Sequence, residues 1–251
     1  MTPDLVLRQD DGPIARLTLN DPGRANVLSL AMIERLRDRL AETVADPEIR
    51  VLVLDAAGKV FCAGHDLGEM RATENSAEHE ALFLRCAALM QAIGDSPKPV
   101  IAKVRRAAVA AGCQLVASCD LAFAAEGARF AVSGINLGLF CSTPSVALSR
   151  VVGEKAALEM LLTGRFVGAP EAASLGLINR AVPEGDLDRA VDDTAMAIAG
   201  KCPEAVALGK ALFRRQLALG VADAYALASR RMAENMTFPS AKTAIDAFLS
   251  H

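Results

Sequence analysis

The chain has 251 residues, of which 52% are hydrophobic, with 27 Lys and Arg against 30 Asp and Glu. A chain of this length buries about 70–75% of its unfolded surface, so it needs no disulfide framework, and its composition excludes global disorder or a collagen-like repeat. A net charge of −3, no Trp and a single Tyr provide neither a basic field for phosphates nor stacking platforms for bases, and no nucleic-acid partner is expected.

In chain order, apolar residues at 5–7 and 14–19 predict two strands joined by a turn at Asp11-Gly12-Pro13. Asn20-Asp21-Pro22-Gly23 ends the second. Ser29 caps a predicted helix running to about 44, with Ile33, Leu36 and Leu40 at helical spacing, and Asp46-Pro47 stops it. The apolar run 51–54 reads as a strand covered on both faces. A Gly-rich turn at 58–64 follows, then helical spacing over 76–93, broken by Ser96-Pro97-Lys98-Pro99. A buried strand over 100–104 leads through small residues into a helix over 112–119. Strands are expected at 120–124 and 129–132. After Thr143-Pro144 the pattern is mostly helical, with runs at 187–198, 205–219 and 221–236. The composition shifts near 183–186, which divides the chain into an α/β core over 1–185 and a helical region over 186–251.

The six Cys show no metal spacing and read as reduced core thiols. The three His, at 65, 79 and 251, include no pair at ligand spacing, so no metal site is expected. No Walker loop, GxGxxG after the first strand or GxSxG elbow is present. No apolar run reaches the ~18 residues of a membrane span. The first residues lack an apolar leader segment, and a cytoplasmic location is expected.

Two small-residue bends remain. Gly58-Lys59-Val60-Phe61-Cys62-Ala63-Gly64-His65-Asp66-Leu67 follows a strand. Ala107-Ala108-Val109-Ala110-Ala111-Gly112-Cys113-Gln114-Leu115 joins a buried strand to a helix. Small residues let a ligand approach the main chain, and a helix N-terminus leaves N–H groups free and carries partial positive charge. Two such groups aimed at one carbonyl would stabilise a developing oxyanion. Such bends also occur where a helix merely packs tightly on a sheet.

These two segments, with Ala169-Pro170-Glu171-Ala172-Ala173-Ser174-Leu175-Gly176-Leu177-Ile178 downstream, resemble the enoyl-CoA hydratase/isomerase (crotonase) family over nearly the whole chain. The turn Phe61-Cys62-Ala63-Gly64-His65-Asp66-Leu67 is the most specific piece. The resemblance implies an α/β fold, a crotonase-like spiral of ββα units with a C-terminal α-helical oligomerisation region. It implies a homo-oligomer, trimer or dimer of trimers, and an acyl-CoA thioester as ligand. Coenzyme A would enter as part of the substrate, with no other cofactor. The chemistry implied passes through a thioester enolate held by the N–H groups of His65 and Ala111. The His65 imidazole would line the pocket or face solvent.

The same resemblance places CoA contacts at Arg24, Ala25, Val27, Ala63, Asp66 and Leu67, where Arg24 either meets a CoA phosphate or is a solvated surface charge; Gly112, Ser133 and Cys141 are further expected substrate contacts, and Ser133, Asn136, Cys141, Ser142 and Thr143 offer polar groups in place of a Glu or serve as helix caps and turn bonds. Phe248 and His251 fall where the family carries a C-terminal aromatic and a Lys that reach CoA on a neighbouring subunit. The chain departs from the family at the two Glu that hydration uses: the corresponding positions are Gln114 and Gly134, neither of which titrates. Gln114 can orient a water or carbonyl through its amide, whereas Gly134 supplies only backbone and space. The stretch 135–144 resembles the branch named for enoyl-CoA hydratase domain-containing protein 3, which shares the missing carboxylates. The expected function is that of an acyl-CoA enzyme, a lyase related to enoyl-CoA hydratase. The alternatives are a non-catalytic acyl-CoA binder, or another enolate reaction such as decarboxylation or thioester hydrolysis.

Overall fold

The computed structural model describes residues 4–250; the expected role of His251 lies outside them. Two sheets are built in step. The larger has the order β1 (Val6–Asp11), β2 (Ile14–Leu19), β3 (Val51–Ala56), β5 (Val100–Val104), β7 (Leu121–Ala125) and β10 (Arg180–Val182). The smaller has the order β4 (Val60–Cys62), β6 (Ala107–Val109), β8 (Arg129–Ala131) and β9 (Val167–Gly168). Apart from β1–β2 and β8–β9, every pairing is parallel.

Each of β3–β4, β5–β6 and β7–β8 gives one strand to each sheet and then hands the chain to helices. These are α2 (Leu67–Arg71) and α3 (Ser76–Asp95) in the first turn and α4 (Ala111–Ser118) in the second. In the third they are a 3-10 turn at Ser133–Leu137 and α5 (Ser142–Leu148). This repetition is the spiral of ββα units.

The apolar alternation of β3 explains the layering. Val51 and Val53 face one side with Ile14, Ile101 and Phe123, where Leu187, Val191 and Ala195 of a later helix cover them. Leu52 and Leu54 face the other side, in the main core with Leu36, Leu40 and Ile93. Burial on both faces is why these strands read as unbroken apolar runs. The helix over 30–45 forms as expected: α1 (Leu30–Ala45) is capped by Ser29, whose hydroxyl accepts from Met32 N at 3.2 Å.

The remaining helices are α6 (Glu154–Thr163), α7 (Ala169–Leu175), α8 (Leu187–Ala199), α9 (Pro203–Gln216), α10 (Val221–Met236) and α11 (Pro239–Leu249). The helical reading after 144 needs a correction, because β9 and β10 interrupt it. Three residues or fewer, pairing with distant strands, carry no period of their own. The helix that covers Val51 and Val53 is α8, so the stretch after Asp186 begins as a layer on the large sheet.

Candidate active site

The two bends leave the C-terminal ends of the neighbouring parallel strands β4 and β6, the edge of a parallel sheet where ligands characteristically bind. They press on each other. A Cβ at Gly64 (φ +100°) would lie 3.0 Å from Ala110 Cβ and 3.4 Å from Ala111 N. A Cβ at Gly112 would lie 2.3 Å from the carbonyl oxygen of Cys62. Backbone lengths then put the nitrogens of His65 and Ala111 no more than roughly 7 Å apart. Neither N–H has a hydrogen-bond acceptor among the described residues. Ala111 opens α4, and the preceding Ala110 is held at φ 50°, ψ −117°, a conformation that costs an L-residue energy and is concentrated at functional sites. Ala110 N donates to Ala131 O at 2.8 Å, which fixes the bend against the end of β8.

A third loop backs the first bend. Leu28 N donates to Gly64 O at 2.7 Å and Ala63 N to Ala25 O at 3.1 Å. The loop is organised by Asn26, which the residue-by-residue sequence reading passed over. Fully buried, its Oδ1 accepts from Asp21 N and its Nδ2 donates to Ala57 O and Val60 O, all at 2.8 Å. The signal available was an Asn able to take the left-handed conformation (φ 52°) in a loop.

Arg24 donates to Asp21 and to Asp66, at 2.8 and 2.9 Å, with half its side chain exposed. Asp66 also caps α2, accepting from Gly68 N at 2.8 Å. Leu67 is exposed, and Val27 N donates to Arg24 O at 3.3 Å.

The His65 imidazole does not face solvent: its Nε2 is buried and has no partner among the described residues. It stands edge-on to Phe83 of α3, with ring centroids 5.4 Å apart. Burial pushes its pKa down to about 4, so the ring is neutral at pH 7. Gln114, 4% exposed, lies one turn along α4 from Ala111, and its Oε1 is also buried without a partner.

Gly134 sits in the 3-10 turn after Ser133, and its N–H donates to Cys141 Sγ at 3.3 Å. The chain folds back on it: Leu139 N donates to Gly134 O at 3.0 Å. Burial raises the Cys141 thiol above its ordinary range, so it is protonated at pH 7. The structure thus gathers four segments: 24–28, 63–66, 110–114 and 131–141. Among the described residues no group of three or more His, Cys, Asp or Glu could hold a metal ion, and no helix is long and apolar enough to cross a membrane.

Parallel ββα turns with two small-residue bends at their strand ends define the crotonase fold. The family model for enoyl-CoA hydratase/isomerase matches residues 9–250, and the chain belongs to this family. It is 44% identical to the enoyl-CoA hydratase domain-containing protein 3, mitochondrial, of Xenopus laevis, over 99% of this chain and 84% of that protein. The structure of an enoyl-CoA hydratase from Mycobacterium smegmatis superimposes with a TM-score of 0.96 at 52% identity, covering 98% of this chain and 96% of the other. Human enoyl-CoA hydratase domain-containing protein 3 gives 0.95 at 41% identity, over 98% and 97%. These relatives correct the expected location. The matching proteins of Xenopus laevis, Rattus norvegicus and Homo sapiens are named mitochondrial, which points away from the cytoplasm.

Proposed function

We propose that the chain binds an acyl-CoA thioester and polarises its carbonyl with the N–H groups of His65 and Ala111, stabilising the enolate that forms when charge moves onto the thioester oxygen. The observation that carries this reading is the contact of Gly64 with Ala110 and Ala111, which brings two free N–H groups to one end of the β4–β6 pair. Fixed N–H donors cost no reorganisation as the charge develops. The CoA moiety lies along Arg24, Ala25 and Val27 and along Ala63, Asp66 and Leu67. Arg24 keeps its exposed edge for a phosphate. The acyl group lies beside Gly112, Gln114, Ser133, Gly134 and Cys141, and CoA enters as part of the substrate.

The reaction belongs to the lyase and isomerase chemistry of thioester enolates, but neither Gln114 nor Gly134 can carry a proton, so hydration of crotonyl-CoA is slow. Calorimetric titration with butyryl-CoA and with free CoA tests the reading. The expected result is tighter binding of the thioester, lost in Gly64→Val, whose side chain would collide with Ala110. Absence of thioester binding in the unaltered protein overturns it.

A second reading, a non-catalytic acyl-CoA binder, is favoured by the crowding at Gly134, which leaves no room for a carboxylate. Product analysis with crotonyl-CoA, a malonyl-type thioester and acetyl-CoA separates hydration, decarboxylation and hydrolysis. Binding without any product supports the second reading.

A further inference from the structure

The four gathered segments, 24–28, 63–66, 110–114 and 131–141, carry five titratable side chains: Arg24, His65, Asp66, Cys113 and Cys141. Four of these supply no free base. Asp66 Oδ2 pairs with Arg24 at 2.9 Å, and its Oδ1 caps α2. Burial pushes the Cys113 thiol up to about 12 and raises that of Cys141, so both keep their protons at pH 7. His65 is what remains. Its Nε2 is sealed from water beside Phe83, whose ring stands at 80° to the imidazole. Near-perpendicular rings suit an Nε2–H meeting the aromatic face, a weak bond that a bare nitrogen cannot make. That tautomer leaves a lone pair on Nδ1. Nδ1 is not sealed, and it makes no hydrogen bond among the described residues. Covalent geometry keeps it within about 5 Å of the same residue's main-chain nitrogen. A thioester carbonyl held by that N–H has its α-carbon two bonds from the oxygen, which brings the α C–H and the ring to one neighbourhood. Held at about 4 by burial, the ring is unprotonated at pH 7 and matches an ordinary carboxylate in basicity, the kind of group that positions 114 and 134 lack.

On the acyl-CoA reading given above, we infer that His65 is also the catalytic base: its Nδ1 takes a proton from the α-carbon of the bound thioester. The α C–H bond breaks, its electron pair moves onto the thioester oxygen between the two N–H groups, and the proton passes to Nδ1. Return of a proton from the ring to the same carbon closes the cycle with no co-reactant. One residue thus serves the reaction twice, its main chain at the oxygen and its imidazole at the proton.

The test is exchange of the α-protons of butyryl-CoA for deuterium in heavy water, read by mass spectrometry at saturating thioester so that affinity does not enter. The unaltered protein should raise the exchange rate at least about hundred-fold over buffer, and His65→Gln should lose that gain. Nitrogen NMR spectra of the unaltered protein should show the ring proton on Nε2 and a bare Nδ1, a readout that does not depend on how the variant folds. Butyryl-CoA that binds without exchanging overturns the assignment to His65 and leaves the acyl-CoA reading standing. Exchange that persists in folded His65→Gln overturns it as well, as does a proton found on Nδ1. Failure of butyryl-CoA to bind overturns both.

Discussion

A Cβ on residue 134 would stand 2.6 Å from the carbonyl oxygen of Leu139 and 2.9 Å from Cys141 Sγ. Placing a carboxylate there is therefore a steric problem before it is a chemical one. Gly134→Glu is expected to lower stability by about 2–3 kcal/mol, through overpacking and displacement of the 135–141 loop. It should confer no crotonyl-CoA hydration; thermal unfolding and a spectrophotometric hydration assay check the two halves. His65 supplies a pH signature. Its folded value of about 4 lies below the ordinary 6.5, so the unfolded chain takes up the proton first. The stability gained by keeping the ring neutral is complete above pH 6.5 and is lost as pH falls from there toward 4. Relative to His65→Gln, the unaltered protein should lose about 2 kcal/mol between pH 7.5 and 5 in urea unfolding; parallel profiles reject the assignment. The meeting of the two bends was legible because it is made of main chain: two runs of small residues mark where backbone is approached closely. What the sequence hid are the side chains that meet from distant segments. Phe83 against His65, and Cys141 against Gly134, are products of tertiary packing with no local pattern.

At the scale of elements, α4 and β4 are held together by one glycine. Gly112 brings its backbone so close to Cys62 that a Cβ would lie 2.3 Å from the Cys62 carbonyl oxygen and 2.8 Å from its Cβ. Replacing a helical Gly with Ala ordinarily stabilises by roughly 0.5–1 kcal/mol. Gly112→Ala should show the opposite sign, a loss of about 2–3 kcal/mol, together with weaker acyl-CoA binding as the two bends are pushed apart. Denaturant unfolding and titration on the same preparation test both. A stabilised variant would show that α4 can retreat without cost. The same contrast explains which elements could be read. The central strands β3 and β5, covered on both faces, announce themselves as apolar runs. The smaller sheet is less legible: β8 falls within the strand expected at 129–132, but β4 and β6, of three residues each, lie inside the two small-residue bends and carry no period of their own. Half-buried Arg8 and exposed Gln9, Asp10 and Asp11 conceal most of β1, an edge strand.

For the whole molecule, the last third is attached differently from the rest. Of α9, α10 and α11, only α10 buries a residue, Leu227. Charge anchors α9 instead. Lys210 Nζ lies 2.6 Å and Arg214 Nη2 2.9 Å from the carboxylate of Asp120, which follows the C-terminus of α4 and also accepts from Val100 N at 2.8 Å. Lys210 donates further to Ile93 O and Lys98 O. Beside it runs a groove between α9 and α10 lined by Leu212, Phe213, Leu217, Val221 and Tyr225. Phe213 is 62% exposed and Tyr225 72%. Exposed apolar side chains lining one groove make it a candidate face for association. With the core-facing side committed to ion pairs, we propose that groove as the packing face of a trimer or a dimer of trimers. Sedimentation should give three or six times the chain's 26.3 kDa, and Phe213→Asp with Tyr225→Asp should give the single chain. Folded-state association also makes thermal stability depend on concentration. The unaltered protein's Tm should therefore rise on dilution's reverse, concentration, while that of the double variant stays fixed. A concentration-independent Tm with single-chain sedimentation in the unaltered protein would mean that the groove serves something other than self-assembly.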